Sequence, residues 1–548
     1  MESPIPSVQY SSHDLGHLGL ISGIFQDLGF VDMIDKLLLG NPTSRLSHGQ
    51  TILAMVINGL GFTSRPMYLS PQFFANKPVD LLIGSDISSS DLNDYQFGKT
   101  LDALYAYGTS RLFEELGSKI FLQEGLGLRI GHYDTTSVSV YGQDYQAEDA
   151  QAVSITFGYS KDHRSDLRQF MIGLMVEPQY GVPWLFRALD GNTSDKTHFA
   201  EVIKTLQQEA QQGNEPMMLI ADSALFTEEG LKEIDKVNYI TRVPHSLKQA
   251  KALLSLYQRT DMQASQQAGY AYIELEEEIF GQQMRWLLVY SQAAYHRESK
   301  KLEATIEQQM SELGEALRKL RRKDFGCQED AQQAVQQLLK KYKYLELDQA
   351  EMRAKNKSHT RGRPKAGAKL KQVWRISATC KPNEEAVDQK RSQIGKFILA
   401  TNQLDKTEIT SEMILASYKD QFQVEKGFRF LKSPMCMADA LFLKKPERIE
   451  ALTMIMCLAL MVYALGERKL RTTLEEIDEF IPDQKGKPTQ KPTLRWIFQC
   501  FEGITLLSIK QPNQPEIRQM LNLTPLHRQV IAIFGGETEN IYTLAFSP

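Results

Sequence analysis

Three carboxylates stand where acids have metal chemistry within reach. Asp134 lies in "LRIGHYDTTSVSVYG" (128–142), Asp222 ends the apolar run of "PMMLIADSALF" (216–226), and Glu425 sits in "YKDQFQVEKGFRF" (418–430). The first two read as aspartates at strand ends, the third as a glutamate on a helix. Such a set suits two-metal phosphoryl chemistry. A pair of Mg²⁺ ions about 3.5–4 Å apart is held by carboxylates from rigid elements, leaving positions for a phosphate oxygen and an attacking water or hydroxyl. Each acid alone has a plainer reading: strand ends often carry Asp, and a lone helical Glu is usually a solvated charge. The chain has 67 Asp and Glu to draw from, so the argument rests on their setting.

The elements that must position these acids follow from periodicity. Residues 1–125 show helical spacing, as in "HLGLISGIFQDLGFVDMIDKLLL". From 128 the texture changes to β-branched and aromatic alternation, predicting a strand through Asp134 toward a turn at Gly142. "AVSITFGYS" (152–160) and "QFMIGLMVEPQYGVPWLFRALD" (169–190) predict further strands, the latter a pair turning at "PQYG". A helix over about 196–211, the buried strand ending at Asp222 and the strand "NYITRVP" complete a mixed sheet. Residues 262–394 read as an insertion. It begins with a hairpin around Gly281, continues with a helical face at Leu302, Ile306, Met310, Leu313, Leu317 and Leu320, and folds back near "DFG" into a second helix (328–346). "KQVWRISATC" (371–380) returns to strand, and residues 353–371 hold eight Lys and Arg and no acid. "IGKFILATN" (394–402) resumes the sheet before one helix carrying Glu425. The divisions are 1–125, 126–261, 262–394, 395–470 and 471–548, the last opening on the Lys/Pro-rich "DQKGKPTQKP". No internal repeat is evident.

Bulk properties narrow the class. At 548 residues the chain is too long for one core. Five scattered cysteines without a CxxC pair argue against a disulfide framework or structural zinc and fit a reducing cytoplasm. "MESPIPSVQY" has neither the basic nor the apolar part of a secretion signal. "ALTMIMCLALMVYAL" (451–465) is short of the roughly 20 residues a bilayer span needs and is flanked by charge, so a buried core helix and no membrane partner are expected. The net charge of −4 does not advertise a polyanionic partner. Residues 1–130 carry 8 Lys and Arg against 13 Asp and Glu, so any basic surface must be local.

"HYDTTSVSVYG", "FGYSKDHRSDLRQF", "GNTSDKTHF", "LIADSALFTEEGL", "YITRVP" and "GKFILATN", in this order across roughly 130–460, resemble the DDE transposases of bacterial insertion sequences. More narrowly they resemble the insertion-sequence-four superfamily. Its signature is Tyr, two residues, Arg, three residues, Glu, six residues, Lys. Tyr418, Glu425 and Lys432 keep that spacing, with Gln421 at the arginine position. The resemblance implies an α/β fold: an RNase H-like catalytic core interrupted between Asp222 and Glu425 by a large, mostly β insertion, with a helical N-terminal domain. It implies Asp134, Asp222 and Glu425 as ligands of two Mg²⁺ ions (Mn²⁺ substituting), and Tyr418 and Lys432 on DNA phosphate. Transposon ends and target DNA are the expected partners, and a homodimer would pair the two ends.

Other residues carry double readings. Lys161, His163, Arg164 and Arg168 in "SKDHRSDLR" suit a grip on DNA backbone or a polar turn. Arg429 suits a DNA contact or an ion pair with Glu425, four residues earlier. Arg361 and Arg363 in "RGRP" resemble the core of an AT-hook, in a segment that also reads as a solvated linker. Two other functions fit the same residues: a DNA-binding protein derived from a transposase and lacking chemistry, and a metal-dependent nuclease without strand transfer.

Overall fold

The computed structural model describes residues 8–40, 44–62, 67–127, 130–142, 145–193, 202–204, 218–234, 237–358, 370–432 and 443–544. Packing divides the chain into two units, residues 1–240 with 416–548 and residues 241–415. The sequence boundaries cut the chain more finely than this.

The first unit is organised around the helix Pro446–Glu476. The apolar run 451–465 is its centre, but the helix is 31 residues long because polar turns extend it at both ends. It is long and apolar enough to cross a bilayer, yet 94% of its most apolar window is buried in the fold. Around it pack the helices Leu18–Asp27, His48–Leu60, Asp94–Tyr107 and Thr109–Gln123, the strand Pro183–Leu189 and the helix Phe422–Leu431. Ser47 opens the second of these helices with a reciprocal capping box to Gln50. The chain ends meet here too. Gln9–Asp14 pairs antiparallel with Thr505–Lys510, and the Tyr542 hydroxyl donates to the Gly16 carbonyl at 2.6 Å.

The sheet of this unit runs Pro183–Leu189, Arg168–Val176, Ile130–Val140, Met218–Ala221 and then Asn238–Arg242, the strand in which the unit boundary falls. The first three are antiparallel neighbours, and Ile130–Val140 pairs with Met218–Ala221 in parallel. The strand expected over 152–160 does not form. It keeps one bridge, Thr156 to Gln169, and is otherwise tied to a turn, with Gly191 N–H donating to the Ser154 carbonyl at 2.9 Å. A Cβ at Gly158 would stand 2.0 Å from the Gly191 carbonyl oxygen, so the turn at Gly191 lies directly against this segment. Of the helix expected at 196–211 only 202–204, which are helical, lie within the described residues.

In the second unit, Lys396–Thr401, Gln282–Ser291, Tyr270–Ile279 and Gln263–Ala264 are neighbours in that order. The hairpin turns at Phe280 and Gly281 with φ of 53° and 76°, the left-handed pair a two-residue turn requires. Gln292–Leu320 and Gln328–Leu339 make the helical hairpin. Within 262–394 helix and strand are present in comparable amounts, so the mostly β expectation gives way to the 29-residue helix. The basic run is no simple linker. Its first part continues the strand Leu345–Ser358, paired with Leu370–Pro382.

Candidate active site

Asp134 and Asp222 are brought together by strand register. Ile130, Gly131 and His132 lie opposite Met218, Leu219 and Ile220. Two residues further along each chain stand Asp134 and Asp222, on neighbouring strands about 4.8 Å apart. Asp222 follows the end of its strand, but Asp134 lies within Ile130–Val140, opposite Leu174, rather than at the strand end expected for it. Both are half-buried. Asp134 Oδ1 accepts from its neighbour Thr135 N–H at 2.7 Å, and Asp222 Oδ1 accepts from Ala224 N–H at 2.9 Å. These bonds occupy one oxygen of each carboxylate.

Beneath them the strand is buried. His132 shares Asp134's face by alternation and is fully buried, and among the described residues neither of its ring nitrogens has a hydrogen-bond partner. Burial pushes its imidazole from 6.5 down to about 4.

Glu425 arrives on Phe422–Leu431, which packs on both Ile130–Val140 and Arg168–Val176 and buries Val424, Phe428 and Leu431. The expected single helix is in fact two. Ser411–Lys419 ends after Tyr418, and tight bonds from Gln421 N–H to the Tyr418 carbonyl and from Val424 N–H to the Gln421 carbonyl bridge the break. Gln421 is therefore the N-cap of the Glu425 helix rather than one turn inside it. Lys426 anchors this helix to the buried Glu467 of the long helix at 3.0 Å. Sequence reading passed over that pair, and a lysine beside the glutamate gives no spacing signal for it. Glu425 itself is exposed.

The segment 160–168 folds over this edge. Lys161 Nζ donates to the Thr135 carbonyl at 2.7 Å and to Thr135 Oγ1 at 3.0 Å, and lies 3.7 Å from Asp134 Oδ1. The next residue, Asp162, accepts from Lys432 Nζ at 2.6 Å. One dipeptide thus faces an acid with a base and a base with an acid. Asp162 lies inside "SKDHRSDLR", where the bases drew notice, and no spacing marked it as the partner of Lys432. His163 takes a left-handed φ of 59° in this turn. Arg164 is clamped by both oxygens of Asp166 at 2.9 Å, which favours the polar-turn reading for it. Arg168 starts the strand and lies over the Phe157 ring, 5.3 Å from its centroid. Arg429 forms no ion pair with Glu425 among the described residues. It lines a cavity of about 220 Å³ with Arg495 and the aromatic Phe62, Tyr180, Phe430 and Tyr463. Arg495 lies over the Phe62 ring, 6.0 Å from its centroid, and Phe430 packs on Tyr463 at 4.9 Å. Arg361 and Arg363 lie outside the described residues.

Mg²⁺ takes one or two carboxylates and fills its shell with waters and substrate phosphate oxygens, so the Asp134–Asp222 pair fits it. Among the described residues no three His, Cys, Asp or Glu stand close enough to hold a metal, so Glu425 is not gathered with the pair.

Residues 126–462 match the family model described as a transposase DDE domain, and residues 10–118 match a domain family of unknown function. Transposase DDE domains generally use divalent metals. No curated protein matches the chain. Among solved structures, the cryo-EM structure of piggyBac transposase in a synaptic complex with hairpin DNA is similar at 9% identity and a TM-score of 0.35, over 90% of this chain and 82% of that one. That likeness is too distant to carry an argument.

Proposed function

Because this chain belongs to the transposases with a DDE domain, we propose that it is an insertion-sequence enzyme that cuts DNA at the element's ends and joins them to a target. The observation that carries this reading is the placement of Asp134 and Asp222 on adjacent parallel strands in matching register inside the matched segment. Three antiparallel strands followed by a parallel one support an RNase H-like core. The spacing of Tyr418, Glu425 and Lys432 supports the insertion-sequence-four branch.

In this reading Asp134, Asp222 and Glu425 hold Mg²⁺, two ions with Mn²⁺ as a substitute. Bound there, the metal polarises a phosphate oxygen and makes water or a 3′-hydroxyl a better nucleophile. The protein's own contribution is position and charge. The parallel strand register fixes the two aspartates, and the Lys426–Glu467 pair fixes the helix that brings Glu425. Lys432 exchanges Asp162 for a DNA phosphate, and Tyr418, Gln421 and Arg429 flank it. Lys161, His163, Arg164 and Arg168 lie along the same backbone, Arg164 least because Asp166 already fills its fork. The working form is a homodimer on paired ends, in the bacterial cytoplasm.

The test is Mg²⁺-dependent cleavage of DNA bearing the element's ends. Asp134→Ala, Asp222→Ala and Glu425→Ala each lose cleavage while keeping end binding. An Asp222→Ala protein that cuts at near wild-type rate overturns the assignment. One observation favours a second reading, a DNA-binding protein without chemistry: among the described residues Glu425 is not assembled with the aspartates. A wild-type chain that binds ends and never cuts in Mg²⁺ or Mn²⁺ selects it. Joining of pre-cut ends separates a transposase from a nuclease.

A further inference from the structure

The ribbon of Leu345–Ser358 and Leu370–Pro382 has two faces, set by alternation along each strand. One face is apolar. Ile376 is buried with Phe325, Ala331 and Val335, and Met352 and Trp374 pack against this cluster, so the helix Gln328–Leu339 covers it. The other face carries Arg353, Lys355 and Lys357 on one strand and Lys371, Val373 and Arg375 on its partner, with Val373 buried between the flanking cations. Register sets Arg353 directly opposite Arg375 and Lys357 directly opposite Lys371.

Like charges directly opposite one another weaken a strand pair, and this ribbon holds two such pairs within five residues. Its own acids answer only part of the charge. Asp324 takes Lys357 at 2.5 Å and Arg375 at 2.7 Å, and Glu351 takes Arg353 at 2.7 Å. Lys355 and Lys371 are exposed, and the Arg353 side chain is 79% exposed despite its partner. Any polar residues would solvate an outward face. Five cations in facing rows instead create a concentrated positive field whose repulsion an external anion relieves. The anion must be extended and repeated to meet a row, which a nucleic-acid backbone is. A two-stranded ribbon is also of a size that the major groove of a duplex admits.

We propose that this face, formed by Arg353, Lys355, Lys357, Lys371 and Arg375, is a binding surface for the phosphate backbone of duplex DNA. The choice of DNA as the polyanion rests on the function proposed above. The charge pattern does not.

The experiment uses the full chain and a short random-sequence duplex, without divalent metal, with binding followed by anisotropy across a salt series. Combining Arg353→Gln, Lys355→Gln and Lys371→Gln lowers the slope of log affinity against log salt by roughly two to three, at about 0.9 for each phosphate that the protein no longer neutralises. The control combines Lys300→Gln, Lys301→Gln and Lys319→Gln, exposed lysines of the helix Gln292–Leu320, and leaves the slope unchanged. An unchanged slope in the ribbon variant, or an equal fall in the control, overturns the proposal. Should the triple variant melt below wild type, Lys355→Gln alone decides. It faces Val373, and the expected fall is about 0.9. Because no metal is present, a chain that never cuts still tests the ribbon. A chain that cuts normally with an unchanged ribbon slope sinks the ribbon and spares the catalytic reading.

Discussion

Two basic regions of this molecule handle their charge in opposite ways. Along 160–168 and at Lys432 cations meet acids: Lys161 lies by Asp134, Arg164 in the fork of Asp166, and Lys432 on Asp162. On the ribbon, cations face cations and Lys355 and Lys371 point to solvent. The sequence makes the two segments look alike, as short runs rich in Lys and Arg. A cation with a fixed partner acts by exchange and is available only when something better arrives. A row of facing cations that its own acids answer only in part keeps a net positive field and attracts from a distance. The first arrangement suits a site that must discriminate, the second a surface that must gather.

The largest effect tests what the paired region serves. Asp222→Ala lowers single-turnover cleavage by at least a thousandfold, about 4 kcal/mol of barrier, while end binding holds. If cleavage falls only a few fold, the paired cations guard no metal edge. Next is the exchange itself. A charged hydrogen bond to phosphate is worth about 1.5–3 kcal/mol, so Lys432→Ala weakens DNA-end binding roughly tenfold or more. An exposed pair such as Lys432–Asp162 is worth only about 0.2–1 kcal/mol, so Asp162→Asn leaves melting nearly unchanged and tightens end binding at low salt. Tighter binding in Lys432→Ala, or weaker binding in Asp162→Asn, breaks the contrast between the regions.

The third prediction concerns the floor under the paired region. His132 is held neutral in the fold, with its pKa at about 4 against 6.5 when exposed. A depressed base stabilises the fold fully above 6.5. That stability falls as the pH drops from 6.5 toward 4, because the unfolded chain then binds the proton first. His17, also pushed down to about 4 by burial, adds in the same direction. The contribution of His132 is up to about 3 kcal/mol across that window. His132→Leu removes both buried ring nitrogens, so its urea-unfolding stability falls less between pH 6.5 and 4 than wild type's. An identical pH profile in the variant refutes the account. The smallest effects are at Arg164 and Gln421. Arg164→Gln changes DNA affinity less than about twofold because Asp166 already holds the guanidinium, and the value of such an exposed pair is small. Gln421→Arg keeps or raises cleavage, since an arginine fork at the helix N-cap adds a charged bond to phosphate. Inactivity of a folded, DNA-bound Gln421→Arg protein shows that this helix end does not face DNA.

Much of the site was legible in the chain. Strand alternation through Asp134, the apolar run ending at Asp222, the hairpin at Gly281 and the two helices after it all follow from local periodicity and turn chemistry, which depend on near neighbours. The family match over 126–462 agrees with motifs read in order along the sequence. What local pattern failed to give was decided by packing between distant residues. The segment expected as a strand at 152–160 instead keeps one bridge to Gln169 and bonds to the turn at Gly191, 33 positions beyond Gly158. The helix at 418–430 was split by a local tightening that periodicity does not register.

The sequence by itself determined which residue types are available for chemistry, where strands and helices alternate, and that charge must act locally. These are properties of residue type and of neighbours within a turn or two. Only the tertiary structure decided which charge meets which. Lys432 finds Asp162 across 270 residues, the two aspartates are set level by a parallel register, and Arg353 is set against Arg375 by an antiparallel one. A carboxylate or an ammonium looks the same in sequence whether its partner is an acid, another base or water. Its function is set by that partner, and long-range packing alone chooses it.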